Sequence, residues 1–432
     1  MLYKPINYGI KTLAVAFVKI SIIIPTRERA DYLSYSLQTA LEIEDDNVEI
    51  IVSDNFSTDH TRDVIEKFSD KRLKYINTGK RVSMRENFNS ATLKSTGDYI
   101  IFFGDDDGIL PKQFKYLRRI LEKHKPDGVS WVKSTYLWPN DEYGAKTGGR
   151  IRFYGPRSYG VPYEYNPQKK HIDNLMQCRL KSLRPATPNI YHGCVSRVFL
   201  EKNASEKDVL FDSTIPDVNF EYRTIMLGGK FIHSDHAFSI NGDSAVSNGR
   251  AHGGYDLNDP RTKPAQKFHQ ENENDPYLNV FGNQRFTPLL LMATLETLRE
   301  RMPDFKHQPN MVEWYSYVYN LSKQQTPKET FQIIVKSLKE YAARTGTLDD
   351  FNVAECRPYK KTKKTWGDIK ARLKLNLSTF SLSAEKDGEN TILSAVRLYD
   401  EILGDGYEHV LNNPKTYKTE WRKAKARYKK AL

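Results

Sequence analysis

The sequence predicts an α/β protein built around a parallel sheet, and three observations predict it. Short apolar runs rich in β-branched residues alternate with segments of helical spacing through the first 125 or so residues. The intervening segments are long enough to carry the chain back between parallel strands. Three of the runs end in polar clusters: Thr26-Arg27-Glu28-Arg29, Asp54-Asn55 and Asp105-Asp106-Asp107. Ligands of parallel sheets gather at the carboxyl ends of strands, so this shared placement marks a candidate site.

The elements follow in order. "VKISIII" (18–24) reads as the first strand. "ADYLSYSLQTALE" (30–42) is a helix, with Leu33, Leu37 and Leu41 on one face. "VEIIVSD" (48–54) is a second strand, and "STDHTRDVIEKFS" (57–69) a helix opened by Ser/Thr/Asp capping residues. "LKYINT" (73–78), "MRENFNSATLKS" (84–95) and "DYIIFFG" (98–104) continue as strand, helix and strand. "PKQFKYLRRILEKH" (111–124) is a helix with proline in its first turn. Beyond it the pattern loosens. "GVSWVKSTYLW" (128–138) reads as one strand, 139–168 as loops, and "NIYHGCVSRVFLEK" (189–202) as strand then helix. "PDVNFEYRTIMLGG" (216–229) reads as a helix closed by glycine, and "KFIHSDHAFSI" (230–240) as one strand. After about 250 the rhythm stops. Residues 284–302, 327–344 and 390–403 have helical periodicity, and two basic segments punctuate them at 360–374 and 418–430. The expected organisation is a short lead-in over 1–18, an α/β domain over 19–250 and a mainly helical region with a basic tail over 251–432.

Composition narrows the function. The chain has 432 residues, 39% of them hydrophobic and 12% aromatic, which supports a real core. The formal charge of +12 suits either polyanionic partners, such as nucleotides, nucleic acid, phosphorylated carriers or anionic membrane surfaces, or a soluble protein with a basic tail. Cys178, Cys194 and Cys356 form no CxxC pair and no disulfide framework, which fits a reducing compartment. No stretch reaches the ~18 apolar residues of a transmembrane helix. "LAVAFVKISIII" (13–24), broken by Lys19, makes a poor signal peptide. The expected location is cytoplasmic, with peripheral contact at the inner face of a membrane.

The aspartates of "IIFFGDDDGILP" (100–111) set the chemistry. Adjacent carboxylates with no neutralising partner nearby in sequence suit a hard divalent cation. Such a cation can clamp a diphosphate and neutralise it as a leaving group.

"SIIIPTRERADYL", "EIIVSDNFSTDHT" and "STGDYIIFFGDDDGILP" together resemble the family-2-type glycosyltransferases of the GT-A fold, over roughly residues 19–250. The resemblance implies an inverting, metal-assisted transfer from a nucleotide-diphosphate sugar, as in polysaccharide biosynthesis. It implies that Pro25, Thr26, Arg27 and Arg29 line the nucleotide pocket. Asp54 would accept from the base, with Asn55 beside it, and Arg85 and Asn87 would lie near the nucleotide. The acidic motif is shifted, because Gly104 stands where the family's pattern begins with Asp. Asp105 would then face ribose or metal, and Asp106 and Asp107 the metal, Mn²⁺ or Mg²⁺. Asp217 would be the general base. It stands six residues before Arg223 in a helix closed by Gly228-Gly229, although Pro216 replaces the usual Glu. Glu221 is the reserve. His192 reads either as an acceptor contact or as a structural histidine. Arg250 and His252 read as phosphate or metal contacts, or as part of a linker.

The expected partners are a nucleotide-sugar donor, UDP-linked by preference, and a glycan or lipid-linked hydroxyl acceptor. The basic segments, with Trp366, Trp421 and Tyr428, suggest either an anionic membrane contact or a solvated helix face. A sugar-phosphate nucleotidyltransferase is the competing enzyme, but "PTRERADY" lacks the glycine-rich phosphate loop expected after its first strand. A basic nucleic-acid-binding protein is the non-catalytic alternative. No zinc-finger spacing, RNP-like motif or basic–aromatic strand platform supports it, and no nucleic acid is expected.

Overall fold

The computed structural model describes residues 17–139, 148–183, 186–204, 206, 208–245, 271–272, 280–281, 286–357 and 379–431. The readings at Arg250, His252 and Trp366, and the basic segment 360–374, lie outside the described residues.

Parallel pairing organises the first half. Strand β1 (Ile20–Thr26) lies between β2 (Val48–Asp54) and β4 (Tyr99–Phe102), with β3 (Leu73–Asn77) outside β2. Thr26 is level with Asp54, so two of the polar clusters finish side by side. Side chains alternate across the sheet, as the pleat requires. Ile22, Ile24, Ile50, Val52, Ile101 and Phe103 face one core, and Ile23, Ile51, Ile100 and Phe102 the other. Helices α1 (Ala30–Leu41), α2 (Thr61–Glu66), α3 (Met84–Lys94) and α4 (Pro111–His124) are the expected ones, α2 being shorter than 57–69. A reciprocal Ser83–Glu86 capping box starts α3.

Two expected strands are each split. Residues 128–138 divide into β6 (Gly128–Trp131) and β7 (Ser134–Leu137), and 230–240 into β11 (Phe231–Ser234) and β12 (Ser239–Asp243). In both cases the first piece joins an eight-stranded sheet and the second a five-stranded one. Strand β10 (Gly193–Ser196) sits antiparallel between β4 and β6. The expected loop region 139–168 contributes β8 (Arg150–Phe153) and β9 (Tyr163–Tyr165). The short strand β5 (Gly108–Ile109), directly after the aspartates, pairs with β12.

The C-terminal half behaves in two ways. Helices over Thr287–Arg301, Met311–Gln325, Lys328–Thr345 and Leu348–Cys356 build a separate apolar core. That core also takes Ile172, Leu175 and Met176 of helix Pro167–Met176, and Tyr222, Ile225 and Met226 of helix Pro216–Leu227. After Thr379 the chain returns to the α/β unit. Strand β13 (Phe380–Ser383) pairs with β8. Val396, Tyr399, Leu403 and Tyr407 are buried in the core that holds β1 and α4. Among the described residues no helix is long and apolar enough to cross a membrane.

Helix Tyr417–Lys430 shows which way its aromatics face. Trp421 stacks on Phe153 at 5.8 Å and Tyr428 packs on Phe380 at 4.8 Å. Arg427 donates to the carbonyls of Ile402 and Leu403 at 2.8 and 2.7 Å. Both aromatic rings are therefore turned toward the protein. Lys418, Arg422, Lys425, Lys429 and Lys430 are left on the exposed side.

Candidate active site

The acidic turn follows β4 and is buried. Asp105, Asp106 and Asp107 are 3%, 5% and 2% exposed, so their charges must be met by the protein or by a ligand. Each carboxylate is met differently. Asp105 accepts from Thr26 Oγ1 at 2.7 Å and from Arg29 Nη1 at 2.9 Å. Asp106 accepts from Ser244 Oγ at 2.5 Å, and Arg29 Nη1 stands 3.9 Å away. Asp107 turns inward, accepting from the Gly104 and Gly242 N–H groups at 2.7 Å each.

Arg29 is thus the neutralising partner that the local sequence lacks. Burial alone would lower its pKa, but Asp105 and Asp106 outweigh this and raise it. One guanidinium cannot balance three carboxylates. Burial, with Asp107 and Asp105 alongside, pushes the Asp106 carboxyl up to about 7. Burial also acts to raise Asp107, but His192 and Lys133 outweigh it and hold that carboxyl below the usual range.

The missing first acid of the motif has a steric cause. A Cβ on Gly104 would stand 2.1 Å from the Tyr191 hydroxyl and 2.9 Å from Asp107 Oδ2. No side chain fits there while Tyr191 and Asp107 keep their places.

Several expected nucleotide residues serve the frame of the pocket. Pro25 lies in β1 level with Ser53. Asp54 accepts from Ser57 N–H, Tyr75 hydroxyl and Asn77 amide at 2.7 to 2.9 Å, which fixes its carboxylate at the strand end. Asn55 grips the Val82 backbone at both its N–H and its carbonyl. Asn87 is buried against Ser53 of β2. Arg85 is half-buried in the first turn of α3. Arg27 is ion-paired with Glu271. Thr26 and Arg29 therefore reach the acidic turn, whereas Asn55 and Asn87 are committed to loop and strand.

Asp217 occupies the first turn of its helix and is half-buried. Burial pushes its carboxyl up, partly offset by nearby backbone N–H groups and Lys133. Lys133 also acts on Asp107 and His192, so its charge is felt both at the helix start and at the acidic turn. Arg223 donates to the Leu210 carbonyl at 2.8 Å and so ties the 208–215 loop to the helix. Sequence reasoning missed Lys133, Ser244 and the Tyr191 hydroxyl. The first had a signal, since it interrupts a run read as one strand where the chain changes sheets. Nothing local placed the other two at the acidic turn, because only tertiary packing brings them there.

Residues 21–180 match the family model described as Glycosyl transferase family 2. That segment belongs to this family. Its α/β sheet, with an acidic turn at a strand end, is the GT-A fold, which the helices over 287–356 extend. Curated relatives match a shorter stretch. A GalNAc(5)-diNAcBac-PP-undecaprenol beta-1,3-glucosyltransferase of Campylobacter jejuni is 32% identical over 95 residues, 21% of this chain and 31% of that protein. An uncharacterized glycosyltransferase of Haemophilus influenzae is 33% identical over 108 residues, 24% of this chain and 43% of that protein. The chain thus spans less than half the length of these relatives. Among solved structures, Staphylococcus aureus TarS 1–349 with UDP-GlcNAc aligns at TM-score 0.43 and 15% identity, over 78% of this chain and 90% of that one. The mannosyltransferase PcManGT of Pyrobaculum calidifontis, with GDP-Man and Mn²⁺, aligns at TM-score 0.36 and 15% identity, over 78% and 86%.

Proposed function

We infer that the chain transfers a sugar from a nucleotide diphosphate to a hydroxyl acceptor, with inversion. The observation that carries this reading is the under-neutralised acidic turn, Asp105 and Asp106 with Arg29, at the strand ends of a family 2 domain. Surplus buried negative charge is what a divalent cation and a diphosphate together relieve. The donor set fits such a cation, since it offers oxygen ligands with Asp106 short of positive partners. Among the described residues no cluster of three or more metal-binding side chains exists. Asp106, with Asp105 beside it, would hold Mn²⁺ or Mg²⁺, and phosphate oxygens would complete the shell, as is usual for Mg²⁺. When bound, the ion supplies charge neutralisation to the departing diphosphate.

The chain's own residues do the rest. Thr26 and Arg29 orient Asp105 from the end of β1. Asp54, locked by Tyr75 and Asn77, shapes the base pocket. Asp217 takes the proton from the acceptor hydroxyl as that oxygen attacks the anomeric carbon. Its raised pKa makes it a stronger base than an ordinary carboxylate. The acceptor is a hydroxyl of a glycan or of a lipid-linked saccharide, the class named in the Campylobacter relative. Any contact with an anionic membrane would be made by the exposed cations of helix Tyr417–Lys430, since the Trp421 and Tyr428 rings face inward. The reading is tested by donor turnover in D217N, where transfer should collapse while donor binding persists. Full transfer by D217N would remove Asp217 from the mechanism.

A further inference from the structure

Asp107 is the member of the acidic run whose carboxylate is wholly taken up by the protein. Besides the two N–H groups it accepts from, His192 Nε2 lies 3.0 Å from its Oδ2, close enough for an ion-pair contact but not aligned as a hydrogen bond. Behind His192 the chain continues inward. His192 Nδ1 is 2.8 Å from Ser239 Oγ, and Trp131 Nε1 donates to that same oxygen at 2.8 Å. All four residues are buried.

The neighbours select one set of proton positions. An indole N–H can only donate, so Ser239 accepts from Trp131 and keeps both its own hydrogen and a second lone pair for His192 Nδ1. The Asp107 carboxylate, which can only accept, decides between them: the ring hydrogen sits on Nε2, facing Asp107, and Nδ1 accepts from Ser239. The opposite tautomer would aim a lone pair at a buried carboxylate, a repulsive contact that leaves Nε2 without a donor.

The surrounding backbone is shaped to hold this ring. His192 has φ +55°, a left-handed conformation that costs a bulky residue about 1 kcal/mol or more. Its N–H donates to the Phe102 carbonyl at the end of β4. Strand β12 presses on the turn from the other side. A Cβ on Gly242 would stand 1.7 Å from the Asp106 carbonyl oxygen. Three separate segments thus converge on one carboxylate.

We propose that His192 is a positioning residue for the donor site: through Asp107 it locks the acidic turn so that Asp105 and Asp106 alone face the diphosphate. This rests on the glycosyl-transfer reading for its ligand but not for its geometry. His192 touches neither donor nor acceptor, and the third aspartate is a brace.

The test uses the full chain in two arms. The first is long-range ¹H–¹⁵N NMR of the histidine rings, with His192 assigned by its loss in H192Q. The expected result is a hydrogen on Nε2. A neutral ring with its hydrogen on Nδ1 alone overturns the proposal whether or not any nucleotide binds. The second is Mn²⁺ binding by electron paramagnetic resonance, together with calorimetry of UDP, GDP and dTDP in Mn²⁺. Glutamine can place an N–H near the position of Nε2, and leucine cannot. H192L should weaken Mn²⁺ and nucleotide binding by about tenfold, as loss of an orienting partner does, while H192Q stays close to wild type. Equal binding by all three overturns the proposal, and so does equal loss in H192L and H192Q. If wild type binds no nucleotide, the donor reading fails, and the tautomer and Mn²⁺ arms still decide the brace.

Discussion

Gly104→Ala is a small change with a large expected effect. The added methyl would stand 2.1 Å from the Tyr191 hydroxyl and 2.9 Å from Asp107 Oδ2. The first distance is more than 1 Å inside ordinary contact, roughly 3.5 Å or more. Both neighbours are held: Tyr191 lies among three carboxylates and Arg29, and Asp107 is bonded to two backbone amides. Neither can move without breaking the turn, so the overpacking cost should be about 2–3 kcal/mol. Tyr191→Phe removes the nearer atom. In that background Gly104→Ala should cost about 1 kcal/mol less, the remaining penalty being the Asp107 contact. Urea denaturation of the four proteins of this cycle gives both numbers. Additive effects, or a Gly104→Ala protein as stable as wild type, would refute the steric account of the displaced acidic motif.

Other outcomes follow from the same geometry. The Asp106 carboxyl is raised to about 7, so its ionisation subtracts stability from the ligand-free protein progressively from about pH 4 to about pH 7. Asp106→Asn should therefore be more stable than wild type in thermal melts at pH 8, yet lose Mn²⁺-dependent nucleotide binding; a destabilised variant would contradict the charge argument. Glu49 runs the opposite way. Burial pushes it up, but Lys74, Ser21 and Thr96 outweigh burial and hold it at about 2. Its contribution is complete above about pH 4.5 and is lost as pH falls toward 2, so Glu49→Gln should flatten the acid limb of the stability profile. Asp217→Asn should lower kcat by about 10²–10⁴ with KM nearly unchanged in steady-state transfer assays. Removing residues 379–432 should give an insoluble or unfolded protein, because Tyr399, Leu403 and Tyr407 complete the core beneath the sheet. A folded truncated chain, judged by circular dichroism and gel filtration, would refute that integration.

The first half of the fold was legible because three of its first four strands run up to a polar cluster. Ile20–Thr26, Val48–Asp54 and Tyr99–Phe102 are apolar runs closed by charge, and local pattern alone locates them. The split strands were not legible. Residues 128–138 carry no glycine or proline at Val132–Lys133, where the chain leaves one sheet for the other. The return of the chain at β13 was hidden for a related reason, since Phe380–Ser383 finds its partner about 230 residues earlier in β8. Within the site, residue types pointed to the acidic turn and to Arg29 but not to who meets whom. Arg29 was expected at the base and ribose, whereas the structure turns it onto Asp105 and Asp106. Asn55 and Asn87 were expected at the nucleotide, but their amides are bound to Val82 and Ser53. His192 was left between two roles, and its burial against Asp107 and Ser239 favours the structural one.

The central claim is that Asp106 and its neighbours hold a metal-bridged nucleotide diphosphate. Calorimetric titration of UDP, GDP and dTDP into wild type and Asp106→Ala, with and without Mn²⁺, tests it most directly. The expected result is binding of one nucleotide by wild type that requires Mn²⁺ and disappears in Asp106→Ala. Absence of binding by all three nucleotides, or binding indifferent to both Mn²⁺ and Asp106, would contradict it.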